Sequence, residues 1–319
     1  MSTDEPVESL AGLGEFAVID RLVSGRIQPP TVLLGPGDDA AVVAHADGRT
    51  VVSTDMLVEG VHFRRDWSTP FEVGRKAIAA NAADIEAMGA APTSFVVSFG
   101  APGDTAADDV VALSDGMWHE AGGLKAGIVG GDLVSAPQWV ISVTALGDLE
   151  GRAPVVLSGA RQGDAVAVMG DLGPSAAGYS LLLNGIRNFD ELRRRHRVPV
   201  PPYGQGRAAA DVGATSMTDV SDGLVADVGH IARASDVGID LSREALRPDH
   251  DALASAATSM AVDPWIWVLA GGEDHALVAT FPGAPPVGWR VIGSVIDGPA
   301  RVLLDGRPWQ GDTGWHSFR

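Results

Sequence analysis

Five short acidic clusters constrain this chain more than any other feature: Asp38-Asp39, Ser53-Thr54-Asp55, Asp84, Gly130-Gly131-Asp132 and Asp219-Val220-Ser221-Asp222. Nearly all sit beside Gly or Ser, or where an apolar run gives way to polar sequence. A carboxylate at a strand end can point into a cleft, and several converging there stay ionised together only if cations neutralise them. Carboxylate and hydroxyl oxygens are hard ligands, suited to Mg²⁺ or Mn²⁺ rather than to zinc or copper. Such ions beside Gly-rich segments point to phosphoryl transfer from a nucleotide.

At 319 residues the chain exceeds the usual size of one core, which predicts two domains. The run Gly147–Gly163, with Gly151, Pro154 and Gly159, reads as the boundary, giving domains 1–148 and 149–319. A net charge of -18 argues against a nucleic-acid footprint. With no cysteine there are no disulfides, thiolate metal sites or cysteine nucleophiles. The acidic start lacks a signal peptide's basic and apolar regions, and no apolar run reaches the roughly 18 residues of a membrane span. The expectation is a cytoplasmic protein that binds neither membrane nor nucleic acid.

Helical and strand periods alternate along the chain. Helices are predicted over 7–27, 70–89, 104–122, 174–184 and 223–235. Strands are predicted over 31–34, 40–43, 50–54, 95–99, 127–129, 139–146, 165–168, 215–220, 276–281, 290–296 and 301–304. The basic, Pro-rich stretch Asn184–Gly206 reads as a long surface excursion.

Each cluster also has an ordinary reading. Gly35-Pro36-Gly37-Asp38-Asp39 is either a ligand perch or an acidic turn. Ser53 and Asp55 share one strand face and Thr54 opposes them; they are metal ligands or a helix cap. Asp84 lies on an Ala-rich helical face with Ala77, Asn81 and Met88, where a half-buried carboxylate needs either a metal or a basic partner. Gly130-Gly131 frees backbone amides for a phosphate. Asp219 and Ser221 share a strand face, and Asp222 is a ligand or a cap. His62 follows in Gly60-Val61-His62-Phe63. Gly271-Gly272-Glu273-Asp274-His275 ends an apolar run, and Trp315 is a stacking platform or an anchor for the tail. No P-loop and no protein-kinase catalytic loop is present.

Taken together and in order, GPGDDAAVV, STDMLVEGVHF, KAIAANAADIEAMGA, GGDLVS, GARQGD, DVSDGLVADVGHIARAS and GGEDHAL resemble the thiamine-monophosphate kinases. These belong to the ATP-binding superfamily of aminoimidazole ribonucleotide (AIR) synthase. The resemblance spans nearly the whole chain. It implies a two-domain AIR-synthase-like fold of mixed α/β sheets, with N-terminal strands forming a barrel at a homodimer interface and the active site in an interdomain cleft. It implies transfer of the ATP γ-phosphoryl group to thiamine monophosphate, the last step of thiamine diphosphate biosynthesis. By motif, Asp39, Ser53, Thr54, Asp55, Asp84, Asp132, Asp219 and Asp222 match the Mg²⁺ ligands. Gly131, Asp132 and Ser221 match ATP contacts, and His62, Glu273 and Trp315 match substrate contacts. No covalent or acid–base catalyst is implied.

One position departs from that pattern. The family's arginine before Ser-Gly-Ala, which meets ATP phosphates, is replaced here by Leu157, with Arg152 or Arg161 as substitutes. Selenophosphate synthetase and the hydrogenase-maturation dehydratase depend on cysteine or selenocysteine, which this chain lacks. AIR synthase lacks the STD…GVHF and GGED combination. A non-catalytic Mg–nucleotide sensor on the same fold is the remaining rival, to be separated by a turnover assay.

Overall fold

A computed structural model describes residues 8–13, 15–35, 41–311 and 313–315. The chain divides into two compact units, Met1–Asn81 with Pro92–Asp148, and Ala82–Ala91 with Leu149–Arg319.

The first unit contains α1 (Leu10–Leu13), α2 (Glu15–Val23), β1 (Val32–Leu34), β2 (Val42–Val43), β3 (Val51–Val58), most of α3 (Pro70–Ala87), β4 (Ala91–Ala101), α4 (Ala107–Gly123), β5 (Gly127–Ser135) and β6 (Val140–Asp148). Four strands form a sheet in the order β3-β6-β4-β5, and β1 pairs separately with β2. Period-two alternation sorts the sheet's faces. Ile141, Val143 and Ala145 of β6 are fully buried, while on β3 Val52 is 60% and Met56 53% exposed. Helix α3 begins with a reciprocal capping box around Pro70: the Thr69 N–H donates to Glu72 Oε2 (2.9 Å) and the Glu72 N–H to Thr69 Oγ1 (3.3 Å).

The second unit contains β7 (Ala165–Met169), α5 (Pro174–Leu183), α6 (Asp190–Arg197), α7 (Gln205–Asp211), β8 (Ser216–Asp219), α8 (Leu224–Ser235), β9 (Gly238–Leu241), α9 (Arg243–Met260), α10 (Pro264–Ala270), β10 (Leu277–Phe281), β11 (Arg290–Ile296), β12 (Arg301–Leu304) and β13 (Arg307–Pro308). Its sheet runs β13-β12-β9-β11-β7-β10-β8. Pairing is antiparallel except between β9 and β12. The central strands are buried on both faces. Val166, Val168 and Val278 join one core with α8, whereas Ala167, Leu277 and Ala279 join another with Met217 and Trp289. This explains why β10 reads as a continuous apolar run.

Three expectations need correction. β3 extends through Asp55 to Val58, so Ser53-Thr54-Asp55 lies inside a strand rather than at its end. β5 likewise runs through Gly130-Gly131-Asp132, paired with Val96, Val97 and Ser98 of β4. The supposed excursion 184–206 holds α6 and the start of α7, with His196 and Val198 buried. Helix α6 is built from Asp190-Glu191 in its first turn and Arg194 to Arg197 in its last, the arrangement the helix dipole favours.

Candidate functional site

In the first unit, β3 presents Ser53 and Asp55 on one face. The Asp55 N–H turns away from β6 and donates to Asn81 Oδ1 (3.0 Å), and Asn81 is anchored by its own donation to Ala77 O (2.9 Å). Asn81 therefore fixes the strand edge that carries Asp55. The Thr54 hydroxyl lies on the opposite face, donating to Val143 O (3.0 Å) and accepting from Thr144 (3.2 Å). The structure thus groups Ser53 with Asp55 and turns the Thr54 hydroxyl from them.

His62 follows β3 in a tight turn. Its Nδ1 accepts the Val58 N–H (3.0 Å), which puts the neutral ring's proton on Nε2, and Lys76 holds its carbonyl (2.8 Å). On edge strand β5, Asp132 is exposed, with Oδ1 accepting the Leu133 N–H (3.0 Å). Gly131 is required by packing, since a Cβ there would stand 2.0 Å from Val97 O. Asp39, with Asp38, lies outside the described residues.

In the second unit, residues distant in sequence converge on 219–222. Pairing of Leu277 with Asp219 brings His275 alongside, and His275 Nδ1 lies 2.9 Å from Asp219 Oδ2, both buried. The Glu273 N–H donates to Ser221 O (2.8 Å), the His275 N–H to Val220 O (2.9 Å) and the Trp315 N–H to Asp222 O (3.0 Å). Asp219, Ser221, Asp222, Glu273 and Trp315 thus form one group. Glu273 and His275 occupy left-handed backbone (φ 62° and 55°), strain that persists where surroundings over-determine it. Buried His196 lies 3.3 Å from Glu273 Oε2 and 3.2 Å from Ser175 Oγ.

Negative charge accumulates in this group. Burial pulls the His275 imidazole down, but the hydrogen bond to Asp219 and the charges of Asp219, Glu273 and Asp84 outweigh it, leaving the ring above its usual value. Asp84 on α3 therefore acts on the same group. The capping role considered for Asp222 belongs to Asp227, which accepts from the Asp222 and Gly223 N–H groups (3.1 and 2.9 Å). Burial, then the neighbouring Asp219 charge, push Asp227 up to about 8. The donors fit a hard divalent cation: carboxylates and a hydroxyl, with no thiolate in the chain.

Asn81, His196, His275 and Asp227 are residues to which sequence reasoning gave no role. Asn81 carried a signal, a polar side chain on the Ala-rich face shared with Asp84. For the other three, only the three-dimensional neighbours give the role. Of the possible substitutes at the Leu157 departure, Arg152 is engaged by Asp211 (2.7 Å) and Glu150 (2.7 Å). The Arg161 main-chain N–H donates to Asp164 Oδ2 (3.0 Å), while its guanidinium makes no ion pair among the described residues.

Two known domains match the chain in succession. Residues 37–149 match the AIR synthase related protein, N-terminal domain, and residues 161–304 its C-terminal domain. The thiamine-monophosphate kinase of Mycobacterium tuberculosis is 68% identical over 318 residues, covering 100% of this chain and 95% of that protein. The crystal structure of thiamine-monophosphate kinase from Stenotrophomonas maltophilia superposes with a TM-score of 0.81 at 31% identity, covering 93% of this chain and 98% of that one. A structure described as AaThiL complexed with AMPPCP and TMP gives 0.79 at 34% identity, covering 98% and 100%. With domain matches, fold and relatives in agreement over essentially its full length, this chain belongs to the thiamine-monophosphate kinase family.

Proposed function

We propose that this protein transfers the γ-phosphoryl group of ATP to thiamine monophosphate in one in-line displacement, giving thiamine diphosphate and ADP. The observation that carries the reading is the grouping of Asp219, Ser221, Asp222 and Glu273 through the Glu273 N–H bond to Ser221 O, the His275 N–H bond to Val220 O and the His275–Asp219 contact, which gathers hard oxygen donors of the kind that hold divalent cations.

Ser53 and Asp55 from β3, Asp132 from β5, and Asp84, Asp219 and Asp222 from the second unit are the proposed Mg²⁺ ligands, with Asp39 added by motif. The Thr54 hydroxyl is left out because it faces the other side of the sheet. Bound Mg²⁺ supplies charge screening and alignment of the two phosphates. The chain supplies the rest. His62 offers an Nε2–H donor, Glu273 a carboxylate steadied by His196, and Trp315 a ring for stacking. Gly131, Asp132 and Ser221 are the proposed ATP contacts, and with Arg152 committed elsewhere, Arg161 is the remaining arginine candidate for the phosphates. The acceptor is already a phosphate, so no strong base is required, and positioning with electrostatics carries the rate.

The test is ADP release with thiamine monophosphate, compared with thiamine and an aminoimidazole ribonucleotide acceptor. Turnover should require thiamine monophosphate, and a chiral γ-phosphoryl group should emerge inverted. Net retention, or label that passes through the protein into product, would mean two displacements. Absence of turnover with all three acceptors would favour a non-catalytic nucleotide sensor.

A homodimer is proposed from the sheet of the first unit. Val52 (60% exposed), Met56 (53%) and Val134 (52%) leave apolar side chains uncovered there, more than a monomer needs. Sedimentation velocity should give a dimer mass, and a monomer at micromolar concentration would refute the assignment.

A further inference from the structure

Asp274 lies between Glu273 and His275, and the reaction as proposed gives it no part. Its carboxylate turns to the start of α5, where the Gly173 N–H donates to Oδ2 (2.6 Å) and the Ser175 N–H to Oδ1 (2.8 Å). Helix α5 depends on this outside cap. Its own N-cap residue is Gly173, which has no side chain to offer, and Pro174 at the next position has no N–H. Two N–H groups at the helix start are thus met by a carboxylate from far along the chain, at the end where negative charge is favoured.

The segment that carries Asp274 is pressed between packed backbones. A Cβ on Gly271 would stand 2.2 Å from Trp267 O and 2.6 Å from the Ala176 Cβ of α5, and one on Gly272 would stand 2.3 Å from Ser221 O. Glu273 and His275, on either side of Asp274, both hold left-handed backbone. That conformation costs free energy for residues other than glycine, so the surroundings must hold it. The two bonds from Asp274 to α5 sit midway between the strained residues and are placed to do so.

A second route leads from Asp274 to the Glu273 carboxylate. Ser175, bonded through its N–H to Asp274, meets His196 Nδ1 with its hydroxyl (3.2 Å), and the same Nδ1 lies 3.3 Å from Glu273 Oε2. His196 is itself fixed, because α6 approaches α5 so closely that a Cβ on Gly178 would stand 2.1 Å from Leu192 O. The backbone and the side chain of Glu273 are therefore both referred to the start of α5.

We propose that Asp274 is a positioning residue for acceptor recognition: by tying the 271–275 segment to the start of α5, it sets where the Glu273 carboxylate stands. This rests on the proposed role of Glu273 as a contact of thiamine monophosphate. Both oxygens of Asp274 face α5, so it acts through Glu273 and not on the acceptor.

The test is Asp274→Asn, which keeps the shape of the side chain but leaves one of the two N–H groups without an acceptor oxygen. Part of the residue reaches the surface, but its carboxylate is enclosed, and burial pushes it up to about 7 against the two N–H bonds. Assays therefore run at about pH 8.5, where the wild-type group is ionised. Ser242→Ala, which removes the side-chain cap of α9, controls for the loss of a helix cap as such. KM for thiamine monophosphate should rise about ten-fold in Asp274→Asn, with KM for ATP and the Mg²⁺ requirement within about two-fold of wild type. In a Glu273→Gln background the same change should add little, since the two residues act as one unit. Amide exchange at Glu273 and His275 should quicken about ten-fold while that of Val278 and Ala279 in β10 stays unchanged. An unchanged KM for thiamine monophosphate, a rise in all constants alike, or strict additivity with Glu273→Gln overturns the inference and leaves the proposed reaction standing. If the wild type does not turn over thiamine monophosphate, the proposed reaction falls, and exchange with calorimetric binding of thiamine monophosphate decides the positioning role. Faster exchange with weaker binding in Asp274→Asn would uphold it; equal binding, or none by the wild type, would overturn it as well.

Discussion

Asp55→Asn and Asp84→Asn are each expected to lower kcat roughly 10²- to 10⁴-fold, the loss for removing one ligand from a multi-cation phosphoryl-transfer site. Asparagine keeps the size of the side chain and one oxygen but removes the charge. Asp55 is exposed within β3 and its backbone N–H is held by Asn81, so the strand should stand without the carboxylate. Asp84 is half-buried on α3, and there asparagine removes one of three negative charges acting on His275. Both variants should therefore fold with near-normal denaturation midpoints. In each, the Mg²⁺ concentration for half-maximal rate should rise and the stabilisation conferred by added Mg²⁺ should shrink, which separates ligand loss from damage to the fold. Near-normal kcat in both variants at saturating Mg²⁺ would sink the metal assignment. Unchanged Mg²⁺ dependence with low kcat would move the two carboxylates to some other catalytic duty.

Much of the fold is legible in the sequence because hydrophobic period and capping agree. The Ala-rich stretch after Thr69 carries a capping box and a proline at the first helical position, and α3 starts there. The misreadings fall where polar, charged or glycine residues interrupt the apolar pattern. Ser53-Thr54-Asp55 breaks an apolar run, so β3 reads as ending there, yet Leu57 restores a buried position and the ladder with β6 continues from Val51 to Val58. Gly130-Gly131-Asp132 has loop composition, but pairing with β4 holds it extended. Helix α6 is hidden by its arginines, because its stability comes from charges placed along the dipole and from Leu192 packed on the core. The acidic members of the site are legible as residue types at suggestive positions. Their partners are not. His275 meets Asp219 only through the pairing of β10 with β8, and Asp227 takes the capping duty only once α8 has formed. Local pattern cannot carry such contacts, because each joins elements set by the register of the whole sheet.

The packing of the first unit yields the other large effect: Gly116→Ala should destabilise the protein by about 3 kcal/mol, through overpacking at a close helix crossing. A Cβ on Gly116 of α4 would stand 2.0 Å from Phe71 O of α3, and one on Gly74 of α3 would stand 2.0 Å from Leu113 O of α4. The two glycines make a reciprocal contact of backbone against backbone, so no flexible side chain can yield and the helices must separate. That separation would loosen the fully buried residues around the crossing, Ile78 and Ala77 on α3 and Ala121 on α4. Gly122→Ala, six positions along the same helix, is the control. Nothing lies within 4 Å of its added Cβ, so its effect should be neutral or stabilising by up to about 1 kcal/mol through helix propensity. Combining Gly74→Ala with Gly116→Ala should cost less than the two single losses together, since one displacement of the helices relieves both clashes. Denaturant unfolding of the four variants checks the set. If Gly116→Ala and Gly122→Ala unfold at the same midpoint, the helices do not approach this closely. If Gly74→Ala and Gly116→Ala are strictly additive, the two glycines do not share one contact.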